Sequence, residues 1–433
     1  MQHKSPPSLL LKYLFWPAII SCFISYVVGI RVFGIVLFPL RVILMLALPF
    51  LLLNPVHKKK GIRRFASYLL ILMLIYGIAS LIWSPDPQLG FKSVTEFFSG
   101  MLLFLFVTHY TIDRSVLTKI MIIWSVMIIA TSLLGVYEMV RKEYLFSFPQ
   151  DEGIGQDIII AAGMTQIGSV IPRVFWQNFN EFSFINAISA LVLIGWAFEE
   201  RGVYRILALI ATLLAIIMVM YSFSRAANLG LLIGLIFFAF IYNIKSSTKP
   251  FYKILKILLM ISLGIFLLYK GQELIVSSQP LSALVIKSES ANDYIRMEYY
   301  TNAVLQGTMN SYGFGRGLGA STEIIGGGSY HHYLLQILAE LGLWIFLGYF
   351  ILIVKVCIQL WNAIRQGRNI SWSCGLLASC IVFPLLCTGP ANTGALVPYW
   401  LWLTFVVAFT EYDSILMRLN HKRFKAGSVK MHI

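Results

Sequence analysis

The chain has 433 residues, of which 58% are hydrophobic and only 12% are charged. Soluble domains carry about 25% charged residues, so this composition excludes a water-soluble globular protein. The formal net charge of +15 would suggest nucleic-acid binding in a soluble protein; here we expect it to mark cytoplasmic loops, with no nucleic-acid partner. The apolar runs are continuous rather than alternating, which predicts helices and not a barrel.

These runs predict an all-α polytopic membrane protein with about twelve transmembrane helices, since roughly 20 apolar residues cross the hydrocarbon. The first run lacks a cleavage site and is followed at once by others, so we do not expect a removable signal peptide. The predicted spans are 11–30, 32–53, 65–83, 94–110, 116–140, 180–198, 203–222, 226–244, 253–270, 332–360, 371–388 and 394–411.

The positions of Lys and Arg predict the orientation. With the N-terminus inside, 22 of the 34 basic residues fall in cytoplasmic segments and 10 in outer segments. Positive charge is retained on the cytoplasmic side, so both termini are expected there. The predicted organisation is helices 1–9 in residues 1–270, an outer loop in 271–331, helices 10–12 in 332–411, and a basic cytoplasmic tail in 412–433.

The outer loop 271–331 is the longest polar segment, and a loop of this length is uncommon without its own structure or function. Residues 290–308 are predicted to form an amphipathic helix, with Asp293 and Arg296 on one face. The glycine-rich stretches 313–319 and 326–328 are predicted to be turns or mobile segments. They lack the strand–turn–helix context of a dinucleotide site, which we therefore exclude.

Basic residues in outer segments run against the positive-inside trend, and three arginines among them are candidate ligands. Arg225 lies between two apolar runs; it either snorkels to the interface or binds an anion such as phosphate through its planar guanidinium. Arg173 lies in IPRVFWQNFNEF, which either forms an interfacial aromatic belt or contributes ligands, Asn180 among them. Arg296 is either a solvated charge paired with Asp293 or a second anion ligand.

His331 and His332 precede the tenth predicted span. Histidine is the usual proton acceptor near neutral pH, and the positive end of a helix disfavours its charged form. Gln336 and Glu340 follow His332 at steps of four residues, so a polar stripe enters the membrane. The alternative is a pair of interfacial histidines and a packing stripe. The cysteines lack metal-ligand spacing, so neither a metal nor another cofactor is predicted.

Taken in chain order, these motifs resemble those of the O-antigen ligase/O-antigen polymerase family over about residues 165–345. The family's glycine after the first arginine is absent, and His332 stands where the family has asparagine, so His331 aligns with the family histidine. The matching elements are Arg173 and Asn180; Ser224-Arg225-Ala226; Arg296, Tyr300 and Ala303; GFGRGLG; and HHYLLQILAELG.

The resemblance implies a GT-C-like fold in a bacterial inner membrane, with a large, partly helical periplasmic loop and a periplasmic active site. It implies metal-independent, inverting transfer of a glycan from undecaprenyl diphosphate to a sugar hydroxyl. The acceptor would be lipid A–core in a ligase, or another lipid-linked glycan in a polymerase; a protein hydroxyl is a further alternative. Outside this class, a transporter or lipid flippase is the competing interpretation.

The resemblance also implies residue roles. His331 would be the base, although a shift of one residue to His332 stays open, and Arg225 and Arg296 would stabilise the diphosphate. The residues implied to bind substrate are Arg173, Asn180, Tyr300, His332 and Gln336.

Overall fold

The computed structural model describes residues 9–24, 29–32, 35–52, 61–110, 113–146, 171–176, 178–222, 224–245, 296–324, 330–390 and 393–429. Across these residues the regular structure is helical, as predicted, except for one short antiparallel hairpin of β1 (Ile30–Val32) and β2 (Ile35–Leu37). The prediction of a helix from residue 32 is therefore wrong for the start of the span 32–53, where the helix begins only at Pro39. The helices are α1 (Leu9–Ile24), α2 (Pro39–Leu52), α3 (Gly61–Ser80), α4 (Pro87–Tyr110), α5 (Arg114–Arg141), α6 (Phe179–Glu199), α7 (Gly202–Tyr221), α8 (Arg225–Lys245), α9 (296–307), α10 (Ser321–Ile324), α11 (Tyr333–Gln336), α12 (Gly342–Arg365), α13 (Ile370–Leu386) and α14 (Val397–Val429).

The helices confirm a multi-pass membrane protein. Within the described residues, seven helical segments are long and apolar enough to cross a membrane: α3 to α8, and the continuous stretch Tyr333–Arg365. The apolar helices of α1, α2 and α13 are shorter, and the predicted span 253–270 lies outside the described residues. The number of about twelve spans therefore stays a prediction.

Helices α6 and α13 lie at the centre of the bundle. In α6, 89% of the most apolar stretch is buried, against 33% in α7, whose outer side is left for lipid. The two central helices touch through their backbones, because a Cβ atom on Gly195 would lie 2.9 Å from the Cα of Gly375. Small residues are what allow membrane helices to approach this closely.

Polar contacts gather at one end of the bundle, which we call the ion-pair end. Here Arg114 Nη2 lies 3.0 Å from Glu200 Oε1, and Arg368 Nη1 lies 2.7 Å from Asp413 Oδ2. Arg114 also donates to the side chain of Asn369 at 3.2 Å. These contacts join the start of α5, the end of α6, the start of α13 and the middle of α14. The sequence predicts that this end is cytoplasmic.

The opposite end, which we call the site end, collects the other termini of the same helices. It contains the start of α8 at Arg225, the turn before α11 at His331 and His332, and the turn that follows α13 at Gly389. The outer segment 296–324 also packs here. The alternating direction of the helices thus separates the ion pairs from the predicted functional residues.

Candidate active site

The outer segment 296–324 is attached to the membrane bundle through a π-helical stretch, Ile337–Leu341. Such stretches are rare, interrupt the regular α-helical pattern, and often occur at functional sites. Here the carbonyl oxygens of Ala339 and Glu340 accept hydrogen bonds from the backbone N–H groups of Arg316 and Gly317, both at 2.9 Å. The stretch 313–319, predicted as turns or mobile, is therefore a fixed part of the structure; 326–328 lies outside the described residues.

Glycine is required along this attachment for two reasons. Gly315 and Gly319 have φ values of +74° and +91°, a conformation that glycine adopts without the penalty of a side chain. A Cβ atom on Gly315 would also lie 2.5 Å from the backbone nitrogen of Gly342, and one on Gly319 would lie 2.4 Å from the carbonyl oxygen of Asp86. The glycines thus allow the backbone of residues 313–319 to contact the backbone at Gly342 and at Asp86.

Glu340 is 2% exposed and lies on the side of the helix that faces the outer segment. Its carboxylate accepts hydrogen bonds from the backbone N–H groups of Gly319 and Ser321 and from Gln336 Nε2, the last at 3.2 Å. Gln336 and Glu340 also line a small cavity, shared with Ser93 of α4 among others. The predicted polar stripe is therefore a hydrogen-bonded pair that attaches the outer segment.

Helix α9 packs directly on the π-helical stretch. A Cβ atom on Gly307 would lie 2.3 Å from the carbonyl oxygen of Leu338, and Ala303 is fully buried in a cluster with Tyr330 and Ala339. The described part of the predicted loop helix is thus helical, and its small residues set its distance from the membrane helices.

The same side of α9 reaches the two histidines. The Tyr300 hydroxyl donates to the carbonyl oxygen of His331 at 3.5 Å, and the Tyr300 ring meets the His332 ring edge to face, with centroids 5.5 Å apart. Arg296 lies one turn before Tyr300, and its positive charge acts on the His331 ring. The structure therefore brings Arg296, Tyr300 and both histidines together.

His331 is held in a specific orientation. Its φ of +46° is a left-handed conformation that costs about 1–2 kcal/mol outside glycine. Nδ1 lies 3.4 Å from the carbonyl oxygen of Gly389, and because a carbonyl only accepts hydrogen bonds, Nδ1 must carry the proton. Nε2 is then the acceptor nitrogen.

The surroundings of His331 also favour its neutral form. Burial is the largest effect and lowers the pKa of His331 below its ordinary 6.5, and the positive charge of Arg296 lowers it further. The hydrogen bond to Gly389 acts in the opposite direction but does not outweigh them. At neutral pH the ring is therefore uncharged and able to accept a proton.

Arg225 is the exposed first residue of α8, next to the same glycine. A Cβ atom on Gly389 would lie 3.5 Å from Ser224 Oγ and 3.7 Å from the Cβ of Ala226, the two residues that flank Arg225. Gly389 thus contacts both the His331 ring and the turn that carries Arg225. The two predicted residues lie at the same end of the bundle.

Arg173 also lies at the site end, but its guanidinium is held against a neighbouring segment. It stacks on the Tyr144 ring at 4.0 Å and donates to the carbonyl oxygen of Phe146 at 3.3 Å. The residue is only 7% exposed. Glu138, fully buried at the end of α5, accepts the backbone N–H of Arg173 at 3.0 Å. These contacts hold the guanidinium against residues 144–146.

Asn180 is the half-buried second residue of α6. The residue that begins this helix is Asn178, whose side chain accepts the backbone N–H of Glu181 at 3.0 Å. An asparagine in this position satisfies a helix N–H that has no partner within the helix. Of the two asparagines, Asn178 therefore caps the helix, while Asn180 is half-buried at the end of α6 that lies at the site end.

The sequence analysis missed Gly389, the residue that connects these parts. It contributes a carbonyl oxygen and the lack of a side chain, and neither has a signature in one sequence. The sequence analysis only ends a predicted span at residue 388, directly before Gly389. Among the described residues, no group of three or more His, Cys, Asp or Glu is arranged to hold a metal ion.

Two comparisons with known proteins bear on this arrangement. Residues 210–350 match the sequence model of the family described as O-Antigen ligase. The chain is also 24% identical over 371 residues to the teichuronic acid biosynthesis protein TuaE of Bacillus subtilis (strain 168), an alignment that covers 81% of this chain and 71% of that relative. The family match over residues 210–350 contains Arg225, α9, both histidines and the π-helical stretch.

Proposed function

We propose that the chain is a membrane glycosyltransferase acting at the periplasmic face of a bacterial inner membrane, because residues 210–350 match the O-antigen ligase family model. It moves a glycan from undecaprenyl diphosphate to a sugar hydroxyl of lipid A–core. One observation carries the proposal: Gly389 contacts both the His331 ring and the turn of Arg225. A proton acceptor and an anion-binding group thereby share one small region.

His331 is the base in this proposal. The acceptor hydroxyl oxygen attacks the anomeric carbon, and its proton moves to Nε2 of His331. The bond between that carbon and the diphosphate oxygen breaks, with its electron pair going to the diphosphate. A single displacement of this kind inverts the anomeric configuration. A positioned base typically contributes about 10²–10⁴-fold to the rate.

Arg225 and Arg296 stabilise the leaving diphosphate. Negative charge develops on that group as the bond breaks, and fixed cations aimed at developing charge lower the barrier. A guanidinium can donate two parallel hydrogen bonds to phosphate oxygens. Arg225 also begins α8, and the start of a helix favours anions through its unpaired N–H groups.

Two of the other residues predicted to bind substrate are proposed sugar ligands, and two are proposed to support the structure of the site. Asn180 and Gln336 are half-buried and carry amides suited to sugar hydroxyls, although Gln336 Nε2 also donates to Glu340. We propose that Arg173 supports the 144–146 segment rather than binding diphosphate, because its guanidinium is already stacked on Tyr144. Tyr300 donates its hydroxyl to the carbonyl of His331, so it orients the histidine turn.

A polymerase, which would use the same donor and a lipid-linked glycan as acceptor, is the second candidate. It is favoured by the relative, which is named for the biosynthesis of teichuronic acid. The chemistry at His331 and Arg225 is the same in both cases, so the two functions differ only in the acceptor.

The test is transfer in vitro by the purified full-length chain, with a defined undecaprenyl-diphosphate-linked donor. Lipid A–core and a lipid-linked glycan are offered separately as acceptors. His331→Ala and Arg225→Ala should each reduce transfer by about 10²-fold or more. Arg316→Ala is the matched control, because Arg316 pairs with Glu323 at 2.7 Å near the surface of the same end. Full transfer by both site variants would disprove the assignment.

A further inference from the structure

Cys387 follows the last residue of α13 and is fully buried against the start of α11. The backbone N–H groups of Tyr333 and Leu334 face its sulfur. The first N–H groups of a helix have no partner within the helix and are normally satisfied by a side chain of the capping residue. The capping residue here, His332, makes no such bond, so the sulfur of Cys387 takes that place.

The same sulfur holds the His332 ring. Cys387 Sγ lies 3.8 Å from His332 Nδ1, and its S–H points to the carbonyl oxygen of Pro384 at 3.2 Å. With the thiol proton used there, the sulfur can only accept from the imidazole, and the ring also donates to the carbonyl oxygen of His332 itself. The edge-to-face contact with Tyr300 holds the ring from the other side.

The turn after α13 therefore fixes both histidines, in different ways. Gly389 contributes a carbonyl to His331, beside the turn of Arg225, whereas Cys387 binds His332 together with the first turn of α11. An atom displaced by about 1 Å from its reactive position can cost 10²-fold in rate, so the direction of this turn matters for catalysis.

We propose that His332 and Cys387 are a positioning pair: they hold the turn that aims His331, and His332 is not the base. The inference rests on the proposed function and specifies which of the two adjacent histidines receives the proton. It assigns a role to a cysteine that is neither a metal ligand nor a disulfide partner.

The experiment compares kcat and the donor KM of full-length variants in the transfer assay. Cys387→Ala should lower kcat roughly 10-fold or more with little change in KM, because positioning affects the chemical step. Cys387→Ser should recover most of this loss, since a hydroxyl oxygen also accepts the two N–H groups. Cys374→Ala removes an equally buried thiol from the other part of α13 and should leave kcat unchanged.

A second pair of variants separates positioning from proton transfer. The amide nitrogen of asparagine can occupy the place of Nδ1 and donate to the sulfur, but an amide is not a base. His332→Asn should therefore retain kcat within about 3-fold, well above His332→Ala and far above His331→Ala, whose expected loss follows from general-base catalysis.

The outcomes are distinguishable. If His332→Asn is as inactive as His331→Ala, or if Cys387→Ala keeps its kcat, the positioning pair is wrong while the proposed function stands. If His331→Ala keeps full transfer, the proposed base itself is wrong. Should Cys387→Ala fail to accumulate in membranes, the comparison of His332→Asn with His332→Ala decides.

Discussion

Replacing Gly315 by alanine tests whether the outer segment is rigidly attached to the π-helical stretch. The residue has a φ of +74°, and its Cβ would lie 2.5 Å from the backbone nitrogen of Gly342 and 2.6 Å from the carbonyl oxygen of Glu340. Both neighbours are backbone atoms, which cannot move aside by a change of rotamer. The substitution should therefore cost both conformational strain and a steric displacement.

The magnitude follows from the two effects. A non-glycine residue in the left-handed region costs about 1–2 kcal/mol, and overpacking in a close-packed region typically costs about 1–3 kcal/mol. Gly315→Ala should thus lower the free energy of unfolding by roughly 2–5 kcal/mol. The displacement should also move α9, so transfer should fall more than the stability loss alone explains.

Gly367→Ala is the matched control. Gly367 has a φ of +72°, but nothing lies within 4 Å of a Cβ at that position, so the variant has the strain without the steric displacement. Thermal unfolding of detergent-solubilised protein, followed by tryptophan fluorescence, measures the difference between the two variants. If Gly315→Ala and Gly367→Ala are equally stable and both fully active, the close attachment of the outer segment is wrong.

Three further predictions concern other parts of the molecule. Burial and the charge of Arg296 lower the pKa of His331 below that of an ordinary histidine, and its neutral form accepts the proton, so kcat/KM should fall as the pH drops through this lowered pKa; Arg296→Gln removes one of the two causes and should move the fall to higher pH, which a pH–rate profile would reveal. Glu138→Ala leaves its hydrogen-bonded N–H groups, Arg173 among them, without a partner, at about 1–3 kcal/mol each, so a thermal melt should show a lower midpoint; an unchanged midpoint would contradict the buried contact. Gly195→Leu should prevent stable assembly in membranes, since a Cβ there already meets backbone at 2.8 Å, and normal accumulation would contradict the central crossing.

Most of the helical framework was predictable because lipid leaves few options. A chain that crosses hydrocarbon must satisfy its backbone internally, so the apolar runs translate almost directly into helices. The boundaries were less predictable where polar residues pack inside. α4 begins at Pro87 rather than 94, because its first turns lie against the outer segment, where Gly90 faces the carbonyl oxygen of Leu318.

The site was predictable in residue type and less so in arrangement. Arginine and histidine at the outer ends of spans are rare enough to be noticed, and the structure brings Arg296, Tyr300 and His331 together. The contacts that orient the histidines involve the carbonyl of Gly389 and the sulfur of Cys387. Both residues follow the histidines by more than 50 positions in the sequence. Nor could sequence show that the Arg173 guanidinium stacks on Tyr144, since that depends on the path of the chain between them.

The π-helical stretch has a consequence for the length of the chain. A π turn contains one more residue than an α turn, so removing one residue between 337 and 341 would leave an ordinary α-turn before Gly342, whose φ of +81° still separates it from the rest of α12. The extra residue is accommodated within that one wide turn, so its removal would leave the direction of the histidine turn nearly unchanged. The carbonyl oxygens that accept Arg316 and Gly317 would return to the helix. A one-residue gap at this position in a homologous sequence would therefore indicate a protein whose outer segment is attached differently.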